Sequence, residues 1–250
     1  MNILITNDDG INAKGLYVLK EYLESKDHKV FVVAPETEKS GKSHAITLGQ
    51  PLRIKEYAFS DDSLGYTCSG YPADCVFLGV SELFEEKLDM VISGINFGPN
   101  LGFDISYSGT VGAALEALNY NIPSIAVSLV SFDIKGHFQS AAILAEKLAV
   151  TLKNQGYKEH IAYNLNVPDK KIDEIKGIMP AFQGGLRYLT KVDKIKDPFG
   201  IMYFISGSIV DEYVENSDIH AVKMDYASLT PVSKLRTDFE ELERLRELEI

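Results

Sequence analysis

The chain has 250 residues, 45% of them hydrophobic, which suits one large domain or one domain with a sizeable extension; no repeat, low-complexity or disordered composition is present. A formal charge of −11 and a pI near 5.0 argue against a nucleic-acid polymer as partner, because phosphate backbones are held by clustered Lys and Arg, yet they leave room for a small phosphorylated ligand held through a metal ion. Two cysteines, Cys68 and Cys75, are too few for a disulfide framework; the first residues are acidic rather than basic, and no apolar run approaches the ~18 residues of a membrane span, so a cytoplasmic protein with neither signal peptide nor membrane contact is expected.

Asn2 to Thr6 is a short apolar run that stops at Asn7-Asp8-Asp9-Gly10, a turn signal directly behind a buried strand. Ala13 to Glu24 carries Leu16, Leu19, Tyr22 and Leu23 at helical spacing. Lys29 to Ala34 is continuous, β-branched and closed by Pro35, the pattern of a parallel strand buried on both faces. A polar stretch, Glu36 to Ser43, leads into the alternating segment Ala45 to Ile54, which reads as a strand or hairpin. Pro72 to Phe84 is helical by spacing, with Pro72 in its first turn. Asp89 to Ile92 is the next strand, Ser93 to Thr110 a long Gly-, Asn- and Ser-rich loop, Thr110 to Leu118 an Ala-rich helix, and Ser124 to Leu129 another buried strand. Helix Phe138 to Gln155 and strand His160 to Val167 follow.

Strands alternating with helices predict an α/β fold with a mostly parallel sheet covered on both faces, occupying residues 1–176. From Gly177 to Tyr226 helical periodicity fades and apolar residues alternate with polar ones, as in Ile201 to Ile205. This texture predicts a β-hairpin extension, so that 177–250 adds to the same domain. Asp238 to Ile250 is a charged helix with Phe239, Leu242, Leu245 and Leu248 at three-residue steps. Such a helix packs either on its own core or on a partner subunit.

In open α/β sheets, ligands bind beyond the carboxyl ends of the strands. Behind the first strand stand Asp8 and Asp9, behind the second Ser40-Gly41, and behind the strand at Asp89 the run Ser93-Gly94-Ile95-Asn96. Adjacent carboxylates repel one another unless a divalent cation neutralises them, and oxygen donors completed by Ser40 and Asn96 suit a hard ion such as Mg²⁺ or Mn²⁺. The competing reading is structural: Asp8-Asp9-Gly10 forms a turn and caps the following helix. The loop Gly94 to Gly102 offers glycines for close approach and asparagine amides, among them Asn100. It runs on through Ser106, Ser108, Gly109 and Thr110 into the Ala-rich helix, whose N-terminus is suited to a phosphate dianion. His44 is the one histidine near these residues, with four roles open to it: orienting a phosphate, acting as an acid, standing at the surface, or supporting the site from behind. Gly41-Lys42-Ser43 resembles the end of a P-loop, but Glu36 stands where that motif needs glycine; no G-x-G-x-x-G follows the first strand, and no zinc-type His/Cys cluster occurs.

Taken together, these stretches resemble the SurE family of survival-protein nucleotidases over nearly the whole chain. The resemblance rests on Ile3 to Gly10, Ala34-Pro35 through Ser40-Gly41, Ser69 to Val76, Ser93 to Gly102 and Tyr107 to Val111, and departs from the family at Tyr71, where Thr is more usual. It implies a Rossmann-like three-layer αβα core and a 5′/3′-nucleotidase acting on nucleoside monophosphates. It also implies one divalent cation per subunit on Asp8, Asp9, Ser40 and Asn96, and a homodimer or homotetramer that exchanges hairpins and C-terminal segments. On that reading Asp8 or Asp9 accepts the proton of a water, while Asn96, Asn100, Ser106, Ser108, Gly109 and Thr110 hold the phosphate. An aspartyl-phosphate route of the haloacid dehalogenase type lacks its second acid, since Gly10 stands there. A receiver domain lacks its phosphoacceptor at the end of the third strand. A nucleotide-binding module without turnover is the remaining alternative.

Overall fold

The computed structural model describes residues 1–211 and 214–248, with backbone alone for 186–190 and 205–211. Glu212 and Tyr213 of the predicted extension, and Glu249 and Ile250 of the predicted terminal helix, lie outside the described residues. In chain order the elements are β1 (Asn2–Thr6), α1 (Lys14–Glu24), β2 (Lys29–Pro35), β3 (Ile54–Ala58), β4 (Leu64–Cys68), α2 (Pro72–Leu78), β5 (Met90–Phe97), α3 (Gly109–Ala117) and β6 (Ser124–Val130). They continue with α4 (Phe138–Gln155), β7 (Ile161–Pro168), β8 (Ile178–Pro180), β9 (Leu186–Asp197), β10 (Gly200–Asp211), α5 (Asp218–Lys223), β11 (Ala227–Ser233) and α6 (Phe239–Arg246).

Nine strands form one sheet in the order β3-β4-β2-β1-β5-β6-β7-β11-β8. Its centre, from β4 through β7, is parallel, and antiparallel β3 and β11 flank it. Side chains alternate between the two faces, as strand geometry requires. Ile3, Ile5 and Ile92 pack under α1 and α4 with Leu16, Leu19, Phe138 and Leu148; Leu4, Val33 and Val91 pack on the other face with Cys75 and Val76 of α2 and Ala113 and Ala117 of α3. The expected α/β architecture is therefore present, with the chain reversing direction across the sheet between β1 and β5. Such a reversal opens a crevice at the strand ends. The expected hairpin is also present: β9 and β10 pair as a two-stranded ribbon apart from the main sheet. Among the described residues, no helix is long and apolar enough to cross a membrane.

Several boundaries move. The hairpin expected over Ala45 to Ile54 lies later, in β3 and β4; Pro51 offers no ladder donor, whereas Tyr57 beyond it packs edge-on against Phe59. The helix expected from Pro72 to Phe84 ends as α2 and continues through Gly79–Leu83 as a π-helical turn. The supposed loop from Ser93 begins as strand: β5 runs on to Phe97, because Ser93 and Asn96 pair with Ala126 and Ser128 of β6. Pairing with a buried neighbour overrides the weak strand propensity of Gly and Asn. Strand β11 and the short helix α5, which local pattern does not announce, join the sheet and its flank.

Asp218 shows how the C-terminal region reaches the strand-end crevice. Its buried carboxylate accepts the N–H of Gly102 at 2.8 Å, of Gly184 at 2.9 Å and of Ile219 at 2.9 Å. Three segments far apart in sequence are thereby tied together beside the loop that follows β5. Asp218→Ala strands three donors and is expected to lower stability by about 3 kcal/mol, with Asp218→Asn losing less; urea unfolding at neutral pH measures both.

Candidate active site

Three strand ends meet at the crevice. Asp8 and Asp9 follow β1, Ser40 lies in the loop after β2, and Asn96 sits in the last turn of the β5 ladder. They line a cavity of about 450 Å³ together with Asn100 and Ser108. That volume falls in the ~300–1,000 Å³ range of small-molecule sites.

Asp8 is 3% exposed, and its carboxylate is held from behind. Thr110 donates its hydroxyl to one oxygen at 2.6 Å and its N–H to the other at 3.2 Å. The carboxylate thus sits on the N-terminus of α3, where the aligned peptide dipoles favour negative charge. A Cβ on Gly109 would lie 3.0 Å from the Asp8 side chain, so glycine lets the helix approach without pushing the carboxylate. Asp9 accepts the N–H of Phe97 at 2.9 Å, which couples it to the end of β5. Neither acid caps α1: its N-cap is Ala13, and no side chain bonds its first turn. The capping part of the competing reading therefore fails, while its turn is present: the Asn7 side chain bonds both the N–H and the carbonyl of Gly10.

Burial lifts both carboxyl pKa values. For Asp8 it outweighs the Thr110 hydrogen bonds. For Asp9 burial, then the charge of Asp8, raises the value to about 7 against the pull of the Phe97 N–H, with Glu38 adding to the rise. Glu38 and Asp104 also line the cavity, and among the described residues no Lys, Arg or His does. The cavity wall is therefore rich in carboxylates, with no basic side chain of the described residues on it. No group of three or more His, Cys, Asp or Glu poised for a metal occurs among the described residues, so a metal here would rest on two carboxylates and neutral oxygens. The donors fit that demand for a hard cation. Asn96 commits its amide N–H to the Gly98 carbonyl at 2.8 Å, which leaves its Oδ1 for a ligand, and Ser40 is exposed on the cavity wall.

The other predicted residues divide. Ser108 caps α3 by accepting the Val111 N–H at 3.1 Å, and its hydroxyl proton remains to be donated into the cavity. Asn100 donates one amide N–H to Ser128 at 2.7 Å, and its backbone is held by Asn164 and Asn166 of β7. Gly109 and Thr110 lie behind Asp8 rather than on the cavity wall, so the structure gives them the task of holding the carboxylate. Ser106 and His44 line a neighbouring hollow of about 260 Å³. His44 is bound to Glu116 at 2.8 Å, and the Ser106 carbonyl accepts the Ser43 hydroxyl at 2.7 Å, which pins the loop after β2 to the start of α3. Glu38, Asp104 and Phe132 join the site without a motif to mark them, and Tyr107 enters it from the Tyr107 to Val111 stretch. For Phe132 the signal was available: it stands just beyond the carboxyl end of β6, where the same strand-end rule points.

A raised carboxyl pKa makes the metal-free fold depend on pH. Between the ordinary Asp value and about 7, folded Asp9 keeps a proton that the unfolded chain has released, so stability falls as pH rises through that window. Asp9→Asn removes this penalty. In EDTA the variant is expected to exceed the parent by about 1–3 kcal/mol at pH 8, with the difference vanishing towards pH 4 in urea unfolding.

Comparison with known proteins agrees with this geometry. The family model "Survival protein SurE" matches residues 3–190. A protein of Petrotoga mobilis named 5′-nucleotidase SurE is 41% identical over 249 residues, covering 98% of each chain. Another of the same name from Kosmotoga olearia is 42% identical, covering 99% of this chain and 98% of its own. The crystal structure of a SurE protein from Aquifex aeolicus superposes with a TM-score of 0.86 at 37% identity, each chain covered completely. The chain belongs to the SurE family.

Proposed function

We propose that this protein is a metal-dependent phosphomonoesterase that hydrolyses nucleoside 5′- and 3′-monophosphates to nucleoside and phosphate. The observation that carries this reading is the pair of adjacent carboxylates, Asp8 and Asp9, on the wall of the strand-end crevice, where no basic side chain of the described residues stands beside them. A phosphate dianion has no reason to enter such a site unless a cation already neutralises it. The relatives named 5′-nucleotidase SurE support the choice of substrate.

Asp8, Asp9, Ser40 and Asn96 would hold one Mg²⁺ or Mn²⁺. When bound, such an ion offsets charge on the phosphoryl oxygens and acidifies water. The residues around it do the positioning. Thr110 and Gly109 hold the Asp8 carboxylate in place, with one Thr110 donor on each oxygen. Asp8 or Asp9 accepts the proton of the attacking water, since each carboxylate keeps lone pairs beyond its hydrogen bonds. The Ser108 hydroxyl and the Asn100 amide, both rigidly held, hydrogen-bond the phosphate and keep it in line for attack. A binding module without turnover would need no acid pair, since backbone amides and one basic side chain suffice for phosphate.

The surface supports a homodimer or homotetramer. Helix α6 buries none of its residues on its own chain, with Phe239 at 61% exposure, and the β9–β10 ribbon presents Tyr203 at 60% and Phe199 at 98%. Apolar faces of this kind are covered by a second copy. Light scattering behind size exclusion is expected to give a dimer or tetramer mass, and deletion of the ribbon tip (residues 196–201) to lower it.

Phosphate release from AMP, GMP and 3′-AMP tests the activity. Release is expected to stop in EDTA and return with Mg²⁺ or Mn²⁺, and Asp8→Asn or Asp9→Asn is expected to lower kcat at least ~100-fold with the far-UV spectrum retained. Near-normal turnover by both variants at low metal would refute the assignment.

A further inference from the structure

The polar cavity has one wall of a different character. Phe132 is 75% exposed and Tyr107 is 66% exposed, yet both line the same space as Asp8 and Asp9. Large aromatic faces left in water are costly unless something covers them. Phe132 is also built into its position. Its ring lies so close to residue 98 that a Cβ there would sit 2.5 Å from its Cε1, and the edge of Phe97 meets it with centroids 5.9 Å apart at 84°. The turn carrying it is tied by Ser131 N–H to the Leu129 carbonyl at 2.8 Å and by Asp133 N–H to the Ser131 hydroxyl at 3.1 Å. Phe97, the ring's support, is the residue whose N–H holds Asp9. One short rigid chain of contacts therefore links the catalytic carboxylate to an outward-facing ring.

We propose that Phe132, with Tyr107, receives the nucleobase of the substrate by stacking, so that the site selects phosphomonoesters whose leaving group carries a flat aromatic ring. This assignment rests on the nucleotidase reading and specifies where the leaving group lies. An acidic cavity offers little to an alcohol beyond the phosphate, whereas a π-face accepts any base because every base has one. The consequence is strong preference for nucleotides over base-free phosphate esters and weak discrimination among the bases themselves.

The test compares AMP with β-glycerol phosphate in the full-length protein at saturating Mn²⁺, and adds adenosine as a competitive inhibitor. Phe132→Ala is expected to lower the ratio of kcat/KM for AMP to that for β-glycerol phosphate about tenfold, acting mainly through KM, and to weaken adenosine inhibition to a similar extent. Phe132→Tyr is expected to restore both. Equal losses on the two substrates, an unchanged ratio, or an unchanged inhibition constant for adenosine would overturn the stacking assignment while leaving the phosphatase intact. Parent protein that releases phosphate from neither substrate with any divalent metal would overturn the nucleotidase reading, and the stacking assignment with it.

Discussion

Two adjacent carboxylates at the end of a buried strand set the conditions that the surrounding structure must meet. Side by side and out of water, Asp8 and Asp9 both lose hydration, which raises both pKa values, and the charge of Asp8 raises that of Asp9 further. A chain selected for stability alone would place neither there. The neighbouring elements are arranged around this liability: α3 points its N-terminus at Asp8, Thr110 supplies a hydroxyl and an N–H, and β5 extends far enough for Phe97 to reach Asp9. What these donors leave uncompensated is the demand for a cation, and that demand links the fold to the proposed chemistry.

The parallel sheet makes the arrangement possible. Because the chain turns in opposite directions after β1 and β5, the loops that follow separate at the crevice instead of covering it. Each strand end then contributes something different: acids from β1, the Ser40 loop from β2, amide oxygen from β5 and an aromatic ring from β6. The C-terminal region closes the far side. Asp218 gathers three N–H groups from separate segments, and β7 holds the backbone of Asn100 through Asn164 and Asn166. The loop that follows β5 is thus held by residues 64 to 116 positions downstream.

Much of this was legible in the linear chain because it is carried by local patterns. The buried strands read as continuous apolar runs, the 3.6-residue period of α4 gives its bounds from Phe138 to Gln155, and the pair Asp8-Asp9 gains its meaning from the glycine- and asparagine-rich loop that follows β5. The errors have a common cause. Ser93 to Phe97 looks like a loop by composition and is a strand by pairing; the hairpin expected over Ala45 to Ile54 forms later, in β3 and β4. His44 and Ser106 lie one hollow away from the acids, a displacement that spacing along the chain does not encode.

The sequence by itself determined the α/β class, the order of the central elements, the acid pair and the family resemblance, since each is read from short local patterns and their order along the chain. Tertiary structure alone decided that β11 completes the sheet, that α6 lies uncovered on its own chain, and that no basic side chain among the described residues lines the cavity. It alone brought Phe132 beside Phe97 and Gly98. The reason is physical: strand and helix periodicity act over a few residues, whereas charge balance, burial and the walls of a cavity are sums over everything that folding brings near.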